Sequence, residues 1–106
     1  MSQQVIEHMK CWIDSRVTDT ISLSELSSYF GYSPYYCSTK FHEMTGITIK
    51  SYWKQQRLER ASQELKNSNL RILDIAIKYG YLSQESFTRA FVSRYGCTPK
   101  HYRMNA

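Results

Sequence analysis

Apolar and polar positions in this chain recur in one pattern, written twice. Residues 21–52 lie on residues 70–102: Ile21–Tyr32 matches Leu70–Tyr81 at an offset of 49, apolar on apolar, Glu25 on Asp74, and Gly31-Tyr32 on Gly80-Tyr81. Leu82 is then inserted, and Ser33/Ser83, Phe41/Phe91, Gly46/Gly96, Thr48/Thr98 and Tyr52/Tyr102 pair at an offset of 50. Each copy reads as a helix, a tight turn at glycine, a second helix and a stop, the outline of a helix-turn-helix. Ahead of the first copy, Val5, Ile6, Met9, Trp12, Ile13 and Val17 fall at three- and four-residue spacing, which predicts an amphipathic helix over 3–17.

Start and stop residues place the remaining elements. Ser22 with Glu25 three residues on forms a capping-box pattern and opens a short helix that runs to Gly31. Ser33-Pro34 offers an N-cap and a first-turn proline for a third helix ending at Gly46. Thr48 caps a long fourth helix over 49–66, whose inward face includes Ile49, Tyr52, Trp53, Leu58, Ala61 and Leu65, and the run 66–69 breaks it. The second copy predicts helices over 71–79 and 84–95 and a last turn from Thr98-Pro99 to Arg103. No segment alternates with period two for the length of a strand. The expected fold is all-α, about seven helices in two helix-turn-helix subdomains, 1–50 and 67–106, joined by a linker helix over 51–66 that begins near 49.

Ser27 and Ala76 sit four residues before the turn glycines, where two steeply crossing helices need a small side chain. Gly31 and Gly80 are expected at positive φ, which other residues adopt at a cost. Phe41 and Phe91 are expected as core anchors, equivalent in the repeat and spaced to face inward. A helical-repeat scaffold is the competing architecture, but such arrays need three or more copies to share a core, and here there are two.

Composition excludes several classes. With 106 residues, 42% hydrophobic and 22% charged, the chain is an ordinary globular protein and not a disordered one. No apolar run approaches the length of a bilayer span, and residues 1–4 lack the order of a secretion signal, so a cytoplasmic, nucleoid-associated location is expected, with no membrane partner. Cys11, Cys37 and Cys97 are odd in number and widely spaced, and His8, His42 and His101 show no ligand spacing. Free, mostly buried thiols and neither metal nor cofactor are expected. No nucleophile–base arrangement, phosphate loop or carboxylate pair points to an enzyme.

Charge is unevenly spread. Residues 1–30 carry two Lys and Arg against four Asp and Glu, whereas residues 31–106 carry twelve against five. The basic excess therefore accompanies both second helices and suits a polyanionic partner. A helical module that binds an acidic protein would share this balance and is the alternative reading.

The run from Gly80 to Phe91, GYLSQESFTRAF, followed by YGCTPKHYR over Tyr95–Arg103, closely resembles the signature that closes the AraC/XylS transcription-regulator domain. The likeness extends through Trp12 to Asp14, Gly31 to Ser33, Tyr52, Arg57, Leu58, Ala61 and Asp74 to Ala76, hence over nearly the whole chain, and it is nearest to the small stand-alone members. The resemblance implies a seven-helix domain on double-stranded DNA, with helices three and six in successive major-groove segments and one monomer covering both. Eighteen residues of connecting helix span about 27 Å, near the roughly 34 Å between major-groove faces one turn apart. It also implies a bacterial regulator, an activator that contacts RNA polymerase. If the chain is complete it leaves no room for an effector domain, and control would act through abundance, proteolysis or a partner.

Residues at the start of each reading helix and one turn later are expected to face bases: Gln84, Glu85, Ser86, Thr88 and Arg89 in the second copy, Tyr35, Ser38 and Thr39 in the first. Arg89 matches a base-reading position of the family, and its guanidinium suits O6 and N7 of guanine. Glu85 stands where relatives often carry glutamine, and a carboxylate beside phosphates is repelled unless it accepts from cytosine N4. Tyr35, Ser38 and Thr39 replace the tryptophan, glutamine and arginine frequent in stand-alone relatives. Short hydroxyls discriminate less, so the first half-site is expected to be the looser one. Phosphate contacts are expected from Lys40, Lys50, Lys54, Arg57, Arg94, Lys100 and Arg103 and from capped helix N-termini.

Overall fold

The computed structural model describes residues 2–105. Those residues form seven helices and no strand: α1 (Gln3–Asp14), α2 (Leu23–Phe30), α3 (Pro34–Thr45), α4 (Ile49–Asn67), α5 (Ile72–Lys78), α6 (Gln84–Tyr95) and α7 (Pro99–Met104). Two compact units result, Met1–Gln56 and Arg57–Ala106, and the boundary falls inside α4.

The starts of the helices other than α5, whose N-cap Arg71 makes no side-chain cap bond, follow from single hydroxyl side chains. Ser22 accepts from the Glu25 N–H at 3.1 Å, Ser33 from Tyr36 at 3.1 Å, Thr48 from Ser51 at 3.0 Å, Ser83 from Ser86 at 3.0 Å and Thr98 from His101 at 3.1 Å. Each satisfies a donor that the helix leaves unserved, and loss of one such cap costs about 1 kcal/mol. Pro34 and Pro99 occupy first-turn positions, where the missing N–H has no intrahelical partner to lose.

In the first unit the core is Ile6, Met9, Trp12, Ile13, Leu26, Cys37 and Phe41, with Ile49, Tyr52 and Trp53 of α4 packed against it. Phe41 meets Tyr52 edge-on with ring centroids 5.7 Å apart, and the Tyr52 hydroxyl donates to Asp14 Oδ1 at 3.0 Å. In the second unit Leu58, Ala61, Leu65, Ile75, Ala76, Phe87 and Phe91 are buried. There Phe91 meets Tyr102 edge-on at 5.2 Å, the same contact fifty residues on. Phe87 and Tyr95 flank Phe91 at 5.7 and 4.6 Å, so the second core is built around one aromatic cluster.

The turns repeat as well. Gly31 (φ +77°) and Gly80 (φ +86°) are left-handed, and the N–H groups of Tyr32 and Tyr81 donate back to the carbonyls of Ser27 and Ala76 at 3.1 and 2.9 Å. Ser27 and Ala76 are both buried, in keeping with small side chains placed where the helices meet.

Three local expectations change. Helix α1 stops at Asp14 rather than at residue 17, because the Ser15 hydroxyl and the Arg16 guanidinium both donate to the Trp12 carbonyl, at 2.8 and 3.2 Å. Those side chains take a carbonyl the last turn would otherwise leave open, and Val17 is buried from a turn instead. Of the thiols only Cys37 is buried, whereas Cys11 is exposed and Cys97 half-buried. Burial pushes the Cys37 thiol above its ordinary value. Helix α5 is shorter than 71–79 by one residue at each end, with Tyr79 as its C-cap.

Burial and the Glu64 carboxylate beside it push the Tyr79 phenol up to about 12, while burial and the hydrogen bond to Asp14 raise Tyr52 as well. A folded-state pKa above the unfolded value near 10 means that this stabilisation is fully present below pH 10 and is lost as pH rises through about 12. In a phenolate titration followed by absorbance, these two tyrosines are expected to ionise last and together with loss of helical circular dichroism. Their ionisation near pH 10 in a still-helical protein would show that the two hydroxyls are not held as described.

Candidate nucleic-acid interface

Helices α3 and α6 are the second helices of the two helix-turn-helix units, and each is pinned on one side. Cys37 and Phe41 bury one face of α3, Phe87 and Phe91 the same face of α6. Helical periodicity then turns Tyr35 and Thr39, and correspondingly Glu85 and Arg89, to the opposite side. Tyr35 is 81% exposed, and Gln84, Glu85 and Arg89 are exposed, whereas Ser38, Thr39, Ser86 and Thr88 are half-buried.

Arg89 lies 4.0 Å from Glu85 as an i,i+4 pair, with side chains 73% and 81% exposed. With glutamate on the N-terminal side the order is the favourable one, worth about 0.3–0.5 kcal/mol in a solvated helix. Glu85 thus lies within ion-pair reach of the guanidinium, a neighbour legible in the i,i+4 spacing but missed in the sequence reading. The Ser86 hydroxyl donates to the Ser83 carbonyl at 3.0 Å and lies 3.2 Å from Ser83 Oγ, so it is engaged in the helix start.

The basic residues sort into two groups. Lys50, Lys54, Arg94 and Lys100 are exposed; Lys40 pairs with Glu43 at 3.1 Å, and this hydrogen bond holds its ammonium above the ordinary range. Arg57 and Arg103 instead serve the fold of the second unit. Arg57 Nε donates to the Tyr79 carbonyl at 2.7 Å, its second nitrogen reaches the same oxygen, and the guanidinium lies 5.2 Å from the Tyr81 ring centroid. Burial lowers its pKa from the ordinary value. Arg103 Nε donates to Leu65 O at 2.9 Å and its second nitrogen to Ser68 O at 3.3 Å, serving carbonyls at the end of α4. Neither task was foreseen in reading both arginines as phosphate contacts.

One turn beyond Tyr35/Thr39 and Glu85/Arg89, the exposed faces continue at His42 and Val92, equivalents at the offset of 50. Leu82, the inserted residue, is fully exposed just before α6. The i,i+7 spacing from Tyr35 and Glu85 was the signal for His42 and Val92. Among the described residues no cluster of His, Cys, Asp and Glu suits a metal ion, and no helix is long and apolar enough to cross a membrane.

Two helix-turn-helix units, each exposing its second helix, define a class of DNA-binding domain. A helix-turn-helix domain family model matches residues 26–105 of the chain. The transposon Tn10 TetD protein of Escherichia coli is 37% identical over 101 residues, covering 95% of this chain and 73% of that protein. The transcriptional activator AarP of Providencia stuartii is 31% identical, with 95% and 75% covered. Among solved structures, a transcriptional regulator from Chromobacterium violaceum of the AraC-type DNA-binding group superposes with a TM-score of 0.92 at 21% identity, covering 97% and 92%, and shares the fold. The chain belongs to the AraC/XylS helix-turn-helix family and is a DNA-binding transcription regulator.

Proposed function

We propose that this regulator acts as an activator at bacterial promoters, binding as a monomer with α3 and α6 in successive major-groove segments and contacting RNA polymerase. The observation that carries the reading is the duplicated unit itself: two reading helices with equivalent buried faces, and on α6 an exposed Arg89 beside Glu85. The activator step and the polymerase contact draw on the family and on the likeness to AarP, an activator by name. Base contacts are assigned to Gln84, Glu85, Ser86, Thr88 and Arg89 and, more loosely, to Tyr35, Ser38 and Thr39. Phosphate contacts are assigned to Lys40, Lys50, Lys54, Arg94 and Lys100, and Arg57 and Arg103 act chiefly in the fold. The first half-site is the less selective, because Ser38 and Thr39 are short and half-buried.

Selection of bound duplexes from a random pool, followed by salt titration, tests this. Affinity should fall with log salt at about 0.9 per neutralised phosphate and retain a preference for the selected duplex over scrambled ones. Arg89→Ala should cost about 1–3 kcal/mol on the selected duplex and flatten the preference at one base pair, whereas Lys54→Ala should weaken all duplexes alike. Equal loss on every sequence would reassign Arg89 to phosphate, and absence of any sequence preference would favour the acidic-protein module.

A further inference from the structure

The first unit holds a cavity of about 350 Å³ among the start of α2, the middle of α3 and the start of α4. Its walls are mainly apolar, from Leu23, Leu26, Ile49 and Trp53. Its polar rim is Ser38, Lys50 and the two capping residues Ser22 and Thr48, and no acidic side chain lines it. The volume lies in the range of small-molecule sites, which join an apolar body to a few convergent polar groups. Apolar walls disfavour a bare inorganic ion, and Lys50, the one charged residue of the lining, suits a negative charge at the polar end.

We infer that this cavity binds a small amphipathic monocarboxylate, its hydrocarbon body between Leu26, Ile49 and Trp53 and its carboxylate on Lys50, and that its binding opposes DNA binding. The opposition rests on the functional reading above, in which Lys50 contacts a phosphate and Ser38 lies on a reading helix; occupancy of the cavity does not. A duplex and a carboxylate that draw on one ammonium each weaken the other by the same factor.

The probe is 4-phenylbutyrate, added to the full chain and followed by amide and indole NMR shifts. The shifts should centre on Ser38, Ile49, Lys50 and the Trp53 indole and saturate, with a midpoint below about 1 mM. The neutral 4-phenylbutanamide, or the variant Lys50→Gln, should raise the midpoint about fivefold or more, in line with loss of a charged hydrogen bond. Saturating probe should also weaken the wild-type complex with a selected duplex at least threefold, roughly, with a smaller effect on Lys50→Gln. Shifts that stay linear, scatter over the surface, or match for acid and amide would overturn the site. Duplex affinity unchanged at saturating probe would overturn the opposition. A chain that binds no duplex would instead sink the functional reading, and the NMR titration would still decide the cavity.

Discussion

Replacing Phe91 with alanine is expected to cost the second unit about 3–5 kcal/mol, the range for a large buried aromatic truncated in a core. Phe91 is fully buried and is the ring against which Phe87, Tyr95 and Tyr102 all pack. Its loss opens a cavity at the base of α6, the helix that carries Arg89, and the neighbouring rings are held by their own helices and cannot all close on it. Urea denaturation followed by circular dichroism measures the cost, and duplex affinity should fall with it. A loss under about 1 kcal/mol would mean that the aromatic cluster is loosely packed and that α6 is held by something else.

Ala76→Leu is expected to destabilise the same unit at the upper end of the roughly 1–3 kcal/mol range for overpacking. Ala76 is fully buried, its carbonyl receives the Tyr81 N–H at 2.9 Å, and the left-handed Gly80 follows four residues on. The Arg57 guanidinium holds the Tyr79 carbonyl next to the turn, so a shift of the turn that relieved the added bulk would cost that contact. The expected signature is a lowered melting temperature together with weaker duplex binding. An unchanged melting temperature would show that α5 and α6 do not approach closely at this position.

The helices and turns were legible because their chemistry is local. A hydroxyl three residues before the N–H it receives, a proline in a first turn and a glycine at positive φ act within one turn of chain. Ser22, Ser33, Thr48, Ser83 and Thr98 could therefore be placed from the sequence, and the structure has them there. Where a competing side chain served the same carbonyl, as Ser15 and Arg16 do at Trp12, the apolar spacing alone overran the end of α1.

Long charged side chains were the least legible, since their partners are set by packing across many residues. Arg57 reaches Tyr79, and Arg103 reaches Leu65, 22 and 38 residues away along the chain. A guanidinium beside an aromatic or an open helix end reads in sequence like any basic residue available to phosphate. Only the packed unit decides which one is turned inward.

From the chain alone came the doubled helix-turn-helix, the all-helical class, the capped boundaries and the inward phenylalanines, each encoded by periodicity or by contacts within a turn. The tertiary structure decided which arginines hold carbonyls, that Cys11 lies exposed, and that α2, α3 and α4 leave a cavity with Lys50 on its rim. These depend on which faces of separate helices are brought together, and hydrophobic spacing along one helix carries no record of its neighbours' side chains.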